Sequence, residues 1–314
     1  MQIARTIEDA RMMIMEAKTR ALREGRSTVT GFVPTMGYLH QGHASLLRQA
    51  REECGVRVLS IFVNPIQFGP KEDLSRYPRN EAGDLQLAEE NGVDVVFLPS
   101  VEEMYPRAIK TSVQVADVTE RLCGASRPGH FDGVATVVSK LFNIVQPDKA
   151  YFGMKDAQQV AVIEQMVFDL NIPVQIMPCP IIREADGLAL SSRNVYLGVE
   201  ERRQALILSE TLKLTEDWLA ECRGDFAAVK ERMEAHIRTM PLADIDYVDL
   251  MLYPDIQPVY GLPVGEWAGR RLLAALAVRF GTTRLIDNRL FELGDGVSKT
   301  LRPAEQSRAG VSRV

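Results

Sequence analysis

Apolar residues recur along this chain with two distinct periods. Ile7, Ala10, Ile14, Ala17 and Ala21 fall on one stripe at helical spacing and predict an amphipathic helix over 7–24. The β-branched run 28–33 predicts a strand, and 44–53, with Leu46, Leu47 and Ala50 apolar, predicts the helix after it. Residues 56–63 are apolar almost without interruption, as in a strand buried on both faces. A helix over 81–91 and a buried strand over 93–98 follow, with 111–115 a shorter strand candidate. Val134, Val137, Val138, Leu141 and Val145 mark a strongly helical segment over 133–145. A brief strand over 149–152, a helix over 156–169 and a strand over 174–178 complete the series. Strands and helices that alternate in this way build a parallel sheet covered on both faces, an α/β doubly wound fold.

The pattern changes after Pro178-Cys179-Pro180. Residues 181–197 read as extended chain with a turn at Ala185-Asp186-Gly187, followed by helices over 199–222 and 225–239. Strands are expected over 245–252 and 272–279, with 283–286 a third candidate. This grouping suggests a smaller α+β domain, so the boundary is placed at 181, with domains over 1–181 and 182–290. Residues 291–314 are polar and rich in Gly, Ser and Arg, and read as a disordered tail. Within it Gly296-Val297-Ser298-Lys299-Thr300 resembles a phosphate loop only superficially, since it lacks the Gly-Lys-Ser/Thr ending and no strand is expected before it.

Composition narrows the function classes. No apolar run approaches the roughly 18–20 residues of a membrane helix, so no membrane partner is expected. Glu8, Asp9 and Glu16 among the first apolar residues argue against a signal or transit peptide. The four cysteines are scattered without a C-x-x-C pair, which indicates neither a zinc knuckle nor a disulfide framework and fits a cytoplasmic protein. A net charge of −5 argues against nucleic acid as the ligand. If the ligand is an anion, its cationic partners must be gathered locally.

Ligands of doubly wound sheets bind beyond the carboxyl ends of the strands, and polar clusters fall at those expected ends. The first is Pro34-Thr35-Met36-Gly37-Tyr38-Leu39-His40-Gln41-Gly42-His43, between a strand and a helix start. A helix start presents backbone N–H groups to an anion, and Gly42, without a Cβ, would let a phosphate approach the backbone. An ordinary turn with a capping His40 and a core His43 explains these ten residues equally well. Asn64 to Gln67, Gly153-Met154-Lys155-Asp156 with Gln158 and Gln159, and Ser191-Ser192-Arg193-Asn194 follow, and Arg127 and His130 precede the 133–145 helix. Each cluster alone is more simply a turn, a helix start or a loop. Together they suggest phosphate chemistry, with His40, His43, Lys155 and Arg193 as fixed donors to phosphoryl oxygens. No activated serine or cysteine, P-loop or dinucleotide fingerprint is present.

His40-Gln41-Gly42-His43 resembles the HxGH signature of the nucleotidyltransferase superfamily, and Ser191-Ser192-Arg193 its second phosphate motif. Longer stretches resemble the pantoate–β-alanine ligase family: Pro34 to Gly37 with HxGH, Phe62 to Pro65 with Gln67-Phe68-Gly69, Tyr77-Pro78-Arg79, Arg127 to Gly133, Tyr151 to Gly153 with Lys155, Asp156, Gln158 and Gln159, and Leu190 to Asn194. They occur in the family's order over about residues 28–287. The resemblance implies a Rossmann-like nucleotide-binding domain, a C-terminal lid and a homodimer formed through the first domain. It implies ATP with Mg2+, and pantoate and β-alanine as substrates joined through a pantoyl adenylate. His43 would be the proton donor. His40, Lys155, Ser191, Ser192 and Arg193 would act with it on the phosphates. Met36, Gly37, Tyr38, Leu39, Gln41, Gly42, Gly153, Met154, Asp156, Ile182 and Leu190 would complete the ATP site. Gln67 and Gln159 would bind pantoate, with Asn64, Pro34, Thr35, Arg127 and His130 around them, and Asp84 is a candidate metal ligand. An adenylyltransferase acting on a phosphate ester would share the histidines but need not share Gln67 and Gln159. A tRNA synthetase would need an anticodon-binding domain and a basic surface, and a nucleotide sensor would release no pyrophosphate.

Overall fold

The computed structural model describes residues 1–70, 72, 74–294 and 298–300. The first half alternates strand and helix. Its strands are β1 (Gln2–Ala4), β2 (Thr30–Thr35), β3 (Val56–Ile61), β4 (Val95–Phe97), β5 (Lys149–Gly153) and β6 (Gln175–Cys179). Its helices are α1 (Ile7–Arg23), α2 (Gln41–Glu53), α3 (Glu81–Glu90), α4 (Val101–Met104), α5 (Cys123–Ser126), α6 (His130–Val145) and α7 (Ala157–Asp169). The six strands form one parallel sheet in the order β1-β4-β3-β2-β5-β6. Alternate residues of a strand face opposite sides. Phe32, Val58, Val95 and Phe97 accordingly pack with residues of α1 and α6, while Val33, Leu59 and Val96 pack with residues of α2 and α3.

The order reverses between β2 and β5, and there the ladder is short. It pairs Gly31 with Lys149 and Phe32 with Ala150 and extends no further. Pro34, two residues further along β2, has no N–H to donate. The carboxyl ends of the two strands therefore part and leave a crevice at the switch point.

The second half contains α8 (Val199–Ala205), α9 (Ile207–Cys222), α10 (Phe226–Ile237), β7 (Ala243–Tyr253), β8 (Gln257–Pro258), α11 (Val264–Trp267), β9 (Arg271–Phe280), β10 (Thr283–Leu293) and β11 (Ser298–Thr300). These strands form an antiparallel sheet ordered β11-β10-β9-β7-β8. Leu250, Leu252, Leu272, Ala274 and Leu276 on one face meet α9 and α10. Met251, Tyr253, Leu273 and Ala275 on the other join the apolar core of the first sheet.

Four expectations need correction. Residues 111–115 are not a strand, because Val113 N–H donates to Thr136 Oγ1 of α6 instead of to a neighbouring strand. The helix expected over 199–222 is two, meeting at Leu206, whose backbone stays helical (φ −60°, ψ −25°), so the interruption lies in the hydrogen-bond ladder rather than in the direction of the chain. The strand expected at 283–286 runs to Leu293 because it is paired along its length with β9. The first residues expected in the tail are ordered, since Phe291, Glu292 and Leu293 pair with Thr300, Lys299 and Ser298. The remaining expected tail, 295–297 and 301–314, lies outside the described residues.

Candidate active site

β2 delivers the chain into the crevice and α2 carries it out. His40 is the N-cap of α2. Gly42 N–H donates to His40 Nδ1 at 3.1 Å, and His40 N–H donates to His43 Nδ1 at 3.2 Å, a reciprocal capping box built from two imidazoles. The ring centroids are 4.2 Å apart. With both Nδ1 atoms accepting, each neutral ring carries its proton on Nε2. Burial pulls His40 down to about 4, helped by the Lys155 charge, and burial with His40 and Lys155 pulls His43 down to about 3. Both are uncharged hydrogen-bond donors at neutral pH.

Gly42 has a local reason beyond approach to a phosphate. A Cβ there would lie 2.8 Å from His40 Cε1, too close to the ring that caps the helix. The preceding turn is also unusual, with Gly37 (φ +84°) and Tyr38 (φ +52°) both in the left-handed region. Asp84 holds it in place. Tyr38 N–H and Leu39 N–H donate to its two carboxylate oxygens at 2.9 and 2.6 Å. Asp84 is almost fully buried, and burial raises its pKa despite the N–H groups of Leu39 and Tyr38. Both oxygens of Asp84, the candidate metal ligand, are engaged with backbone, and this carboxylate shapes the HxGH turn. Thr35 Oγ1 donates to Ser60 O and accepts from Gly37 N–H, and Ser192 Oγ donates to Tyr38 O, so the same turn is tied to β3 and to the second phosphate motif.

A cavity of about 240 Å³ opens beside this turn. Pro34, Thr35, Met36, His40, Gly42 and His43 line it together with Asn64, Gln67, Gly153, Lys155, Asp156, Gln159, Ile182 and Leu190 to Arg193. Phe62, Val134, Val137, Val138 and Leu141 give it an apolar wall. Arg127, His130, Lys155, Asp156, Gln159, Ser191 and Arg193 also line an adjoining chamber of about 660 Å³ against the second sheet. The structure thus brings together clusters that lie over a hundred residues apart in sequence.

Within the cavity Asn64 Nδ2 donates to Gln67 Oε1 at 3.0 Å, and Tyr105 OH donates to Asn64 Oδ1 at 2.8 Å. Gln67 Nε2 faces Met36 Sδ, a weak acceptor that an oxygen would outcompete. Arg127 makes a two-pronged ion pair with Glu72 at 2.6 and 2.7 Å, and its third arm donates to His130 Nε2. That leaves His130 Nδ1–H to donate to Gln67 O, and burial with the Arg127 charge pulls His130 down to about 4. Lys155 Nζ lies 3.4 Å from Asp156 Oδ2. Burial pushes Asp156 up, but Lys155, Arg193 and His130 outweigh it and hold the carboxyl below its ordinary range. Arg193 stacks over the Tyr77 ring, and its N–H donates to Ser191 Oγ.

Several expected residues stand behind the cavity. Gly37, Tyr38 and Leu39 form its supporting turn, Gln41 is exposed, and Met154 is buried with its carbonyl held by Asn288. Gln158 is structural: it binds Cys123 N–H, Val118 O and Arg121 O. Asp84's supporting role, the contact of Tyr77 with Arg193, Glu72 and Asn288 were not legible, because each acts through a partner distant in sequence.

A family model described as pantoate-beta-alanine ligase matches residues 2–290. The chain belongs to that family. A pantothenate synthetase from Heliobacterium modesticaldum is 54% identical over 289 residues, covering 92% of this chain and 100% of the relative. The crystal structure of the Thermus thermophilus enzyme superposes with a TM-score of 0.82 at 44% identity, covering 92% of this chain and 98% of that one. The Francisella tularensis pantoate-β-alanine ligase, solved with beta-gamma ATP and β-alanine, gives 0.70 at 34% identity, covering 92% and 97%. The protein is thus a ligase of an ATP-using family, with a parallel sheet flanked by helices and a second, antiparallel sheet. No helix among the described residues is long and apolar enough to cross a membrane.

Proposed function

We propose that this protein joins pantoate to β-alanine in two steps at the β2–β5 crevice. A pantoate carboxylate oxygen attacks the α-phosphorus of ATP, and pyrophosphate leaves. The β-alanine amine then attacks the acyl carbon of the pantoyl adenylate, loses a proton, and AMP leaves with the carboxylate-derived oxygen. The observation that carries this reading is one cavity lined by two unlike sets of groups: neutral His40 and His43 with Lys155 and Ser191 to Arg193, and the Gln67 and Gln159 amides with an apolar wall. Fixed donors of this kind stabilise charge that builds on phosphoryl oxygens. The neutral amides suit hydroxyl and carboxylate groups, and the aliphatic wall suits pantoate's methyl groups.

Neutral imidazoles donate Nε2–H hydrogen bonds without titrating, and the bound triphosphate's charge would raise their pKa. Gly153, Ile182 and Leu190 would frame the adenosine with Met154 buried behind them, and Pro34, Thr35, Asn64, Arg127 and His130 would surround pantoate. The described residues hold no ready-made cluster of metal ligands. Among the described residues that line the smaller cavity, Asp156 is the one acidic group. This fits Mg2+ arriving with the triphosphate, its charge offsetting that of the phosphates, with Asp156 as the residue that would hold it. The division into domains 1–181 and 182–290, the second acting as lid, together with a homodimer and a cytoplasmic location, belongs to the same proposal.

The test is pyrophosphate release from ATP with different acceptors. Release is expected with pantoate, and pantothenate and AMP once β-alanine is added. Release only with a phosphorylated acceptor would assign the site to an adenylyltransferase, and none with any acceptor would make it a sensor.

A further inference from the structure

The phosphate-gripping groups named above lie on the first sheet and on the segment that follows it, yet two residues of the second sheet reach them. Asn288 of β10 is buried, with 5% of its surface exposed. Its Nδ2 donates to two carbonyls at once, Met154 O and Lys155 O, each at 2.9 Å. Its neighbour Asp287 is 3% exposed and accepts from Arg183 Nη1 at 2.6 Å and Nη2 at 2.9 Å. Arg183 Nη1 also donates to Gly187 O, closing the hairpin in which Arg183 pairs with Ala189. That hairpin leads directly into Ser191, Ser192 and Arg193.

Strand geometry explains how one site on β10 serves both elements. Consecutive side chains point to opposite faces. Ile286, Asn288 and Leu290 face the core of the first sheet, whereas Leu285 and Phe291 face the helices of the second half. Asn288 therefore holds the Lys155 turn on one side, and Asp287 holds the base of the hairpin on the other. Asn288 N–H donates to Asp287 Oδ1 at 2.8 Å and links the two. β10 is hydrogen-bonded to β9 from Thr283 to Glu292, through Asp287 and Asn288, so it is a stiff support.

We propose that Asn288 is a positioning residue for adenylate formation: it fixes the backbone beneath Lys155 in register with the Ser191–Arg193 segment carried by Asp287 and Arg183. Both Asn288 amide hydrogens are engaged, so its effect is exerted through Lys155. The proposal rests on the two-step reaction above.

The experiment is single-turnover pyrophosphate release with ATP and pantoate, on wild type, Asn288→Ala, Lys155→Ala and the double variant. Asn288→Ala is expected to slow release by ~10–100-fold, as small misplacements of a reacting group do, while KM for pantoate stays within about twofold. In the Lys155→Ala background the same substitution is expected to change the rate little, because coupled sites are non-additive. An equal loss in both backgrounds, or a wild-type rate in Asn288→Ala, would overturn the proposal. If Asn288→Ala does not fold, Asn288→Ser, which keeps one donor, is expected to give a smaller loss, and a wild-type rate there would overturn it equally. A wild type that releases no pyrophosphate with pantoate would sink the reaction instead. ATP affinity by calorimetry then carries the Asn288 test, with a weakening that vanishes in the Lys155→Ala background.

Discussion

At the scale of single residues, the site works by keeping its histidines uncharged. His40, His43 and His130 are pulled to about 4, 3 and 4, each chiefly by burial. A histidine whose folded pKa lies below its unfolded one takes up a proton on unfolding, so stability falls as pH drops from about 6.5 toward the folded value. Glu164 works in the opposite sense. Its Oε1 is buried without a hydrogen-bond partner among the described residues, and burial lifts the carboxyl to about 7, against the Arg271 charge. It therefore releases a proton on unfolding between pH 7 and the ordinary carboxylate range. From these four groups the uptake on unfolding at about pH 5 is three protons less one, or about two. Urea unfolding between about pH 6.5 and 4.5 is expected to show stability falling with acid. Glu164→Gln should steepen the fall and His43→Asn should flatten it, each by about 1.4 kcal/mol per pH unit at most. A flat wild-type profile would show that the histidines are not buried as neutral groups.

At the scale of elements, the strand–turn–helix unit depends on a carboxylate from elsewhere in the chain. Asp84 lies in the first turn of α3, forty-odd residues after the turn it grips. Asp84→Asn keeps the shape but turns one acceptor into a donor facing an N–H. It is expected to cost about 1–3 kcal/mol of stability and to slow adenylate formation by ~10–100-fold through displaced histidines. Denaturant unfolding and single-turnover pyrophosphate release read the two effects. Wild-type values in both would mean that the turn holds itself. The turn was legible in sequence because its Gly and His spacing is local. The role of Asp84 was not, since an acidic residue in a helical stretch reads as a solvated face until the fold buries it.

At the scale of the whole molecule, the two sheets share an apolar seam. Met251, Tyr253, Leu273 and Ala275 sit in the same core as the first sheet's helices. A large apolar contact resists rigid-body opening, so the lid role of the second domain falls mainly to its polar segment carrying Ser191, Ser192 and Arg193, with Tyr77 beneath Arg193. ATP and pantoate without β-alanine are therefore expected to release about one pyrophosphate per site in a burst and then nearly stop, the adenylate being shielded from hydrolysis. Arg193→Ala is expected to slow that burst by roughly 10²–10³-fold, the usual loss for one transition-state donor. Rapid-quench measurement on both proteins decides it: continuous hydrolysis by the wild type would contradict a sealed site, and an unchanged burst in the variant would remove Arg193 from the phosphates.

The sequence by itself determined the alternation of strand and helix, the change from a parallel to a second kind of architecture, and the polar clusters at strand ends. All of these are local: period, turn residues and short motifs act within a few residues of one another. Tertiary structure alone decided which clusters share a cavity. It set the strand order that parts β2 from β5, and it ended β10 at Leu293 rather than at 286 by pairing it with β9. It also decided the partners of Asp84 and Asn288, whose polar atoms are buried against backbone groups 45 or more residues away in sequence. A buried polar group must find a partner, but the chain's own order does not say which one the fold will bring.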